Sequence, residues 1–243
     1  MSETSTKVFI LEVMGRHAGW MAASSALART SKGDAPHIIL LPEVIFNQQK
    51  FLSKVKDVVK QKGYCVIVTS EGVKSAKGKF LAESNTKDAF GHTQLGGVAP
   101  YLASLITKKL KLKNHWAVSD YLQRSARHIA SKTDLLHAEA VGVHAIKYAI
   151  QGMNGVMPVI VRGKSTKYTW KIEPSPLSKI ANVEKKLPKS YISMDGFNVN
   201  SKAIAYLRPL IIGEAFPEFK NGIPKISNLK LLLAPKKLKK WVP

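Results

Sequence analysis

The sequence predicts an α/β fold: a doubly wound, mainly parallel sheet with flanking helices. Three observations predict it. Short β-branched apolar runs recur early in the chain, at residues 8–11, 37–44 and 65–70. Runs this short and this apolar on consecutive positions suit strands covered on both faces. Segments with helical periodicity separate them, and the resulting β-α-β-α-β order favours parallel strands joined by crossover helices. The first run also leads into a glycine–arginine turn, a common way to hold an anion at the carboxyl end of a sheet.

Each element follows from its residues. "VFILEVMGRHAGW" (residues 8–20) opens with four apolar residues, passes through Gly15, Arg16 and Gly19, and enters a segment of small residues and good helix formers from Trp20 to Ala28. "HIILLPEV" reads as the second strand. In "FLSKVKDVVKQKGY", Phe51, Leu52, Val55, Val58 and Val59 share one helical face opposite lysines, and Gly63 is placed to end the helix. "CVIVTSEG" is the third strand, with Glu71 at its carboxyl end. Residues 72–93 are rich in Lys, Ser and Gly and read as a long loop. Val98, Leu102, Leu105 and Ile106 mark a helix. Thr133 or Asp134 can cap a helix from about Leu135 to Gln151, with Leu135, Ala138, Val141 and Ala145 on one side and Gly152 and Gly155 beyond it. "VMPVIVRG" and "KYTWKIEP" look like strands, the first edge-like because of Pro158. "SPLSKIANVEKKL" and "NSKAIAYLRPL" look helical. From Phe216 the chain is rich in Pro and Lys, so residues 1–215 are read as one folded part and 216–243 as a tail.

The 243 residues carry 38 basic against 16 acidic side chains, a net charge of +22. That excess fits a Lys-rich solvated surface, a field directed at phosphorylated sugars, or a nucleic-acid partner. No zinc-finger spacing, RNP aromatic motif or basic heptad region supports nucleic acid, which is not expected as a partner. No apolar run approaches the ~18 residues that span a bilayer, so no membrane association is expected. The polar start "MSETSTK" has no apolar signal region, and the expected location is the cytoplasm. Cys65 is the only cysteine, which removes intrachain disulfides and argues against thiolate metal clusters. His137 and His144 are not at ligand spacing and no HExxH pattern exists, so no metal ligand is assigned.

In a wound sheet, ligands sit outside the carboxyl ends of the strands. Met14, Gly15 and Arg16 would reach that edge from one turn and Glu71 from another. An arginine can grip a phosphate, and a glutamate can accept hydrogen bonds from sugar hydroxyls. Tyr121 and Arg124, three residues apart, point the same way on a helical turn. They could close over a phosphate, or the tyrosine could pack its ring and the arginine stand in solvent. "FGHTQLGG" (residues 90–97) ends in glycines but has neither GxxxxGK[ST] nor GxGxxG, and is no recognisable nucleotide cradle.

These residues resemble the phosphofructokinase family. "VFILEVMGRHAGW" is similar to its fructose-6-phosphate turn, and "CVIVTSEG" falls where the family has a strand ending in a substrate-binding glutamate. "FGHTQLGG" and "DYLQRSARHIASKTD" resemble later segments of the pyrophosphate-dependent branch. The similarity runs from Lys7 to about Arg162. It implies that Met14, Gly15 and Arg16 contact fructose 6-phosphate, that Glu71 binds its hydroxyls, and that Tyr121 and Arg124 hold its phosphate. It further implies that Lys7 reaches a neighbouring subunit's site.

The resemblance implies Mg2+ and pyrophosphate as well, but through residues that this sequence lacks. The family's Gly-Gly-Asp phosphate loop and its "TIDND"-like stretch, which carries the catalytic base, have no counterpart in the 243 residues. No catalytic residue is therefore assigned. The expectation is a phosphofructokinase-like chain with the acceptor-sugar side only: a truncated or split enzyme, working as a homo-oligomer or paired with an N-terminal chain. A non-catalytic sugar-phosphate-binding or regulatory subunit, and a basic nucleic-acid-binding protein, are the alternatives.

Overall fold

The structure is a computed structural model that describes residues 4–87, 93–95, 97–165, 167–227, 230–233, 235, 237 and 238. Phe90, Gly91, His92 and Gly96 of "FGHTQLGG", and most of the lysine cluster at 235–241, lie outside the described residues. In chain order the elements are β1 (Val8–Val13), α1 (Trp20–Ser24), β2 (Ile38–Leu40), α2 (Gln48–Lys62), β3 (Cys65–Ser70), β4 (Glu83–Lys87), β5 (Thr93–Leu95), α3 (Val98–Leu110), β6 (Asn114–Val118), α4 (Leu122–Ser125), α5 (Lys132–Ile150), β7 (Val156–Arg162), β8 (Trp170–Pro176), α6 (Ser201–Leu207), β9 (Phe219–Lys220) and β10 (Ile223–Pro224).

The centre is a four-stranded, all-parallel sheet in the order β2-β3-β1-β6. Its strands alternate their side chains between two apolar layers. Val8, Ile10, Ile38, Leu40, Cys65 and Ile67 pack on one face against Phe51 and Val55 of α2 and Leu102 and Ile106 of α3. Ile39 and Val68 pack on the other against Ala22, Ala23, Ala203 and Leu207 of α1 and α6. Helices on both faces explain the consecutive apolar residues in these strands. Leu40, Thr69, Glu12 and Val118 fall in one row across the sheet. Every strand therefore ends on the same rim.

Several expectations are met. β1 and β3 lie where their apolar runs are. The helix containing Phe51 and Val55 is capped by the Asn47 carboxamide, which accepts from Lys50 N–H (3.0 Å), and closed by Gly63 N–H donating to Val59 O (2.9 Å). Others need correction. The second strand is only three residues long, and the helical segment from Trp20 tightens into a 3-10 turn at Ser25–Ala28. Residues 72–93 are not wholly loop, because β4 and β5 pair as an antiparallel ribbon. The cap of α5 is Ser131, whose hydroxyl accepts from Asp134 N–H (3.1 Å), not Thr133 or Asp134. Its inward stripe is His137, Val141, His144 and Tyr148, not the Leu135–Ala138–Val141–Ala145 line, while Leu136, Val143, Ile146 and Ile150 face outward. β7 and β8 form an antiparallel hairpin that α5 packs against. "SPLSKIANVEKKL" makes a single 3-10 turn at Leu177–Lys179 and then continues with neither helix nor strand. β6 is a further strand, which pairs with β1 and has no apolar run of its own.

Candidate functional site

The turn after β1 is built by its neighbour β3. Glu71 N–H donates to Val13 O (3.0 Å), continuing the ladder by one residue. Gly15 N–H then donates to Glu71 Oε1 (3.1 Å), and the Ser70 hydroxyl donates to Gly15 O. Gly15 has φ +143°, and a Cβ there would stand 2.8 Å from Ala18 O and 2.9 Å from Ser70 Oγ. Only glycine lets the chain turn this tightly on the end of β3. The consequence is that Arg16, half-buried, leaves the rim directly beside Glu71.

β6 brings the second pair. Ser119 N–H donates to Glu12 O (3.1 Å), and the chain turns through Asp120 into α4. Tyr121 and Arg124 are both exposed on this turn, with the Arg124 guanidinium 5.0 Å from the Tyr121 ring centroid. That stacking keeps the guanidinium edge available to an anion. Since β3, β1 and β6 are adjacent and parallel, Glu71, Met14–Gly15–Arg16 and Tyr121–Arg124 follow three neighbouring strand ends. Lys7 is not brought to them. It precedes β1 at the opposite rim, where its N–H donates to Lys113 O (3.1 Å). The six residues of β1 lie between it and Met14, seven steps of ~3.3 Å or about 23 Å in all.

Three acids with structural work here are not visible as such in the sequence. Glu12, 1% exposed, accepts from Gly97 N–H (3.1 Å) and Ala99 N–H (2.7 Å) and so caps α3 from across the sheet. Burial pushes its carboxyl above the ordinary range, opposed by the Ala99 and Gly97 N–H groups and reinforced by the nearby charge of Glu71. Glu43, just past β2, accepts from Gly19 N–H (3.0 Å) and Leu187 N–H (2.8 Å). Glu184 meets His17 Nδ1. The one available signal was position: Glu43 also follows a strand end.

A cavity of about 270 Å3 opens at the end of β2, lined by Leu41, Val44, Phe46, Lys50, Val73 and Asp195 among others. None of Arg16, Glu71, Tyr121 and Arg124 lines it, and the one acid that does, Asp195, already accepts from Lys54 Nζ and Ser193 Oγ. We place the candidate site at the rim of β3, β1 and β6 because the Arg16 and Arg124 guanidinium groups follow those strand ends. Among the described residues no three His, Cys, Asp or Glu side chains converge on a point that could hold a metal. Nor is any helix among them long and apolar enough to cross a membrane.

Comparison with known proteins agrees with this placement of the fold. A curated relative from Xanthomonas campestris pv. campestris (strain B100), named pyrophosphate–fructose 6-phosphate 1-phosphotransferase, is 53% identical over 99% of this chain and 58% of its own length. One from Methylococcus capsulatus (strain ATCC 33009 / NCIMB 11132 / Bath) with the same name is 49% identical over 98% of this chain and 57% of its own. The crystal structure of the pyrophosphate-dependent phosphofructokinase from Nitrosospira multiformis superposes with a TM-score of 0.86 at 49% identity, covering 99% of this chain and 57% of that one. The chain thus spans a little over half the length of the relatives it matches. The family model described as Phosphofructokinase matches residues 1–149, which hold every candidate site residue, and the chain belongs to the phosphofructokinase family.

Proposed function

We propose that this chain is the sugar-phosphate-binding portion of a pyrophosphate-dependent 6-phosphofructokinase. The reaction moves a phosphoryl group from pyrophosphate to the 1-hydroxyl of fructose 6-phosphate, giving phosphate and fructose 1,6-bisphosphate. The observation that carries this reading is the placing of Arg16, Glu71 and the Tyr121–Arg124 pair on three adjacent, parallel strand ends. Arg16 and Arg124 supply guanidinium forks for the sugar phosphate, with Tyr121 beside the second. Met14 and the exposed backbone of Gly15 border the sugar, and Glu71 accepts from its hydroxyls. Such a site contributes to phosphoryl transfer by orientation, fixing the acceptor oxygen in line before the donor arrives. The +22 charge favours the approach of both anionic substrates.

The donor site, the base and Mg2+ belong on this reading to polypeptide that these residues do not include. Support comes from what is left uncovered. Trp116 on the edge strand β6 is 49% exposed, and the outward stripe of α5 includes Ile146 at 63% and Ile150 at 81%. Apolar groups this exposed mark surface built for protein contact. A homo-oligomer in which Lys7 reaches a second copy's site is compatible with its place on the opposite rim.

Calorimetric titration with fructose 6-phosphate tests the site. The chain is expected to bind it, and Arg16→Ala and Arg124→Ala each to weaken binding about 10- to 100-fold, the effect of losing one charge-assisted hydrogen bond. Unchanged affinity in both variants would remove the assignment. Pyrophosphate-dependent turnover by the chain alone would remove the claim that the donor side lies elsewhere.

A further inference from the structure

The Arg16 turn is held from both ends. Glu71 holds its beginning through Gly15 N–H, and Glu43 holds its end through Gly19 N–H (3.0 Å). Glu43 does more, because the same oxygen, Oε1, also accepts from Leu187 N–H (2.8 Å). Its second oxygen is buried without a hydrogen-bond partner. Leu187 is itself buried in the layer beneath α1. One carboxylate thus ties together two segments 168 positions apart, Gly19 and Leu187.

Residues 184–187 touch the same turn twice more. Glu184 meets His17, the neighbour of Arg16, and Trp20 Nε1–H donates to Lys185 O (2.6 Å). Lys185 Nζ lies 5.9 Å from the Trp20 ring centroid and 5.6 Å from that of Tyr206, and its ammonium donates to the Tyr206 hydroxyl (3.2 Å). This segment has no helix or strand of its own. Its conformation is set by groups on the turn, and by mutual constraint it sets theirs.

We propose that Glu43 is a positioning residue and that residues 184–187 form a strap, which together hold the Arg16 turn in the shape that grips a sugar phosphate. The inference rests on the site reading above. The strap touches the turn at His17, Gly19 (through Glu43) and Trp20, so it fixes the backbone that aims Arg16 without itself contacting the ligand. Glu43 acts through the two amides and not on the reacting atoms.

The test compares Glu43→Ala, Glu43→Gln and Trp20→Phe with the wild-type chain. It reads fructose 6-phosphate affinity by calorimetry and amide hydrogen exchange at Gly19 and Leu187. Glu43→Ala is expected to lose about tenfold in affinity and to speed exchange at both amides together by about tenfold, a local loosening. Glu43→Gln retains an acceptor oxygen and is expected to stay within about threefold of wild type on both readings. Trp20→Phe keeps an aromatic side chain but removes the bond to Lys185, and decides the matter if Glu43→Ala does not fold. It is expected to speed exchange at Leu187 and weaken binding about threefold. Glu43→Ala and Trp20→Phe chains that bind as tightly as a binding-competent wild type overturn the strap and leave the site standing. A wild type that does not bind fructose 6-phosphate overturns the site; exchange at Leu187 then decides the coupling, and its failure to change in the variants overturns that too.

Discussion

The carbonyl oxygen of Arg16 occupies the place where a side chain on residue 72 would begin: a Cβ built on Gly72 would lie 1.8 Å from it and 2.6 Å from Gly15 O. The backbone of the arginine turn rests directly on the residue after Glu71. The two halves of the proposed sugar site are therefore one packed unit.

Gly72→Ala should accordingly be among the most damaging single-methyl changes in the chain. Backbone cannot move aside as a flexible side chain would, so the cost is expected at about 3 kcal/mol, near the upper end for overpacking. For a chain of this size that lowers the melting temperature by roughly 6–12 °C. A thermal melt measures it, and a fall of less than about 2 °C would show that the turn yields.

Cys65 should be inert while the chain is folded. Its side chain is fully buried in the layer under α2, and burial pushes the thiol up to about 12. Because the thiolate is the nucleophile, alkylation by iodoacetamide at pH 8 is expected only after denaturation. Mass spectrometry of the labelled native chain checks this; rapid stoichiometric labelling would contradict it.

Acid should loosen the fold before the carboxylates titrate, in part through His37. Its Nδ1 accepts from Val66 N–H (3.0 Å) and its Nε2 is buried without a partner. Burial, with the charges of Arg29 and Lys62, holds the imidazole below its ordinary value of 6.5. The unfolded chain therefore binds the proton more readily. Stability is complete above pH 6.5 and is lost as pH falls from there through the folded value. His137, lowered by burial, acts in the same direction. The melting temperature is expected to drop between pH 7 and 5.5, and His37→Gln to flatten that slope.

How far the sequence alone reaches depends on whether a contact leaves a local pattern. β1, β3, α2 and α3 do: their apolar positions serve the two layers, at the period each element requires. β6 does not, because "NHWAV" is an edge strand with His115, Trp116 and Val118 exposed, and only its pairing with β1 makes it a strand. "SPLSKIANVEKKL" misleads in the other direction. Leu177, Ile180, Val183 and Leu187 have helical spacing, yet Glu43, His17 and Trp20 take hold of residues 184–187 and keep them out of a helix. Arg16 and Glu71 could be placed because each follows a readable strand. Glu12 and Glu43 could not be given their roles, since their partners are backbone N–H groups on distant segments.

The row formed by Leu40, Thr69, Glu12 and Val118 has a consequence for how such a protein can change. The shelf it forms is stiff and shared, and the loops that hang from it can vary without disturbing the wound layers beneath. Descendants of one ancestor can therefore exchange the molecule they grasp by editing a few residues beyond that line, while the address at which it is grasped stays put.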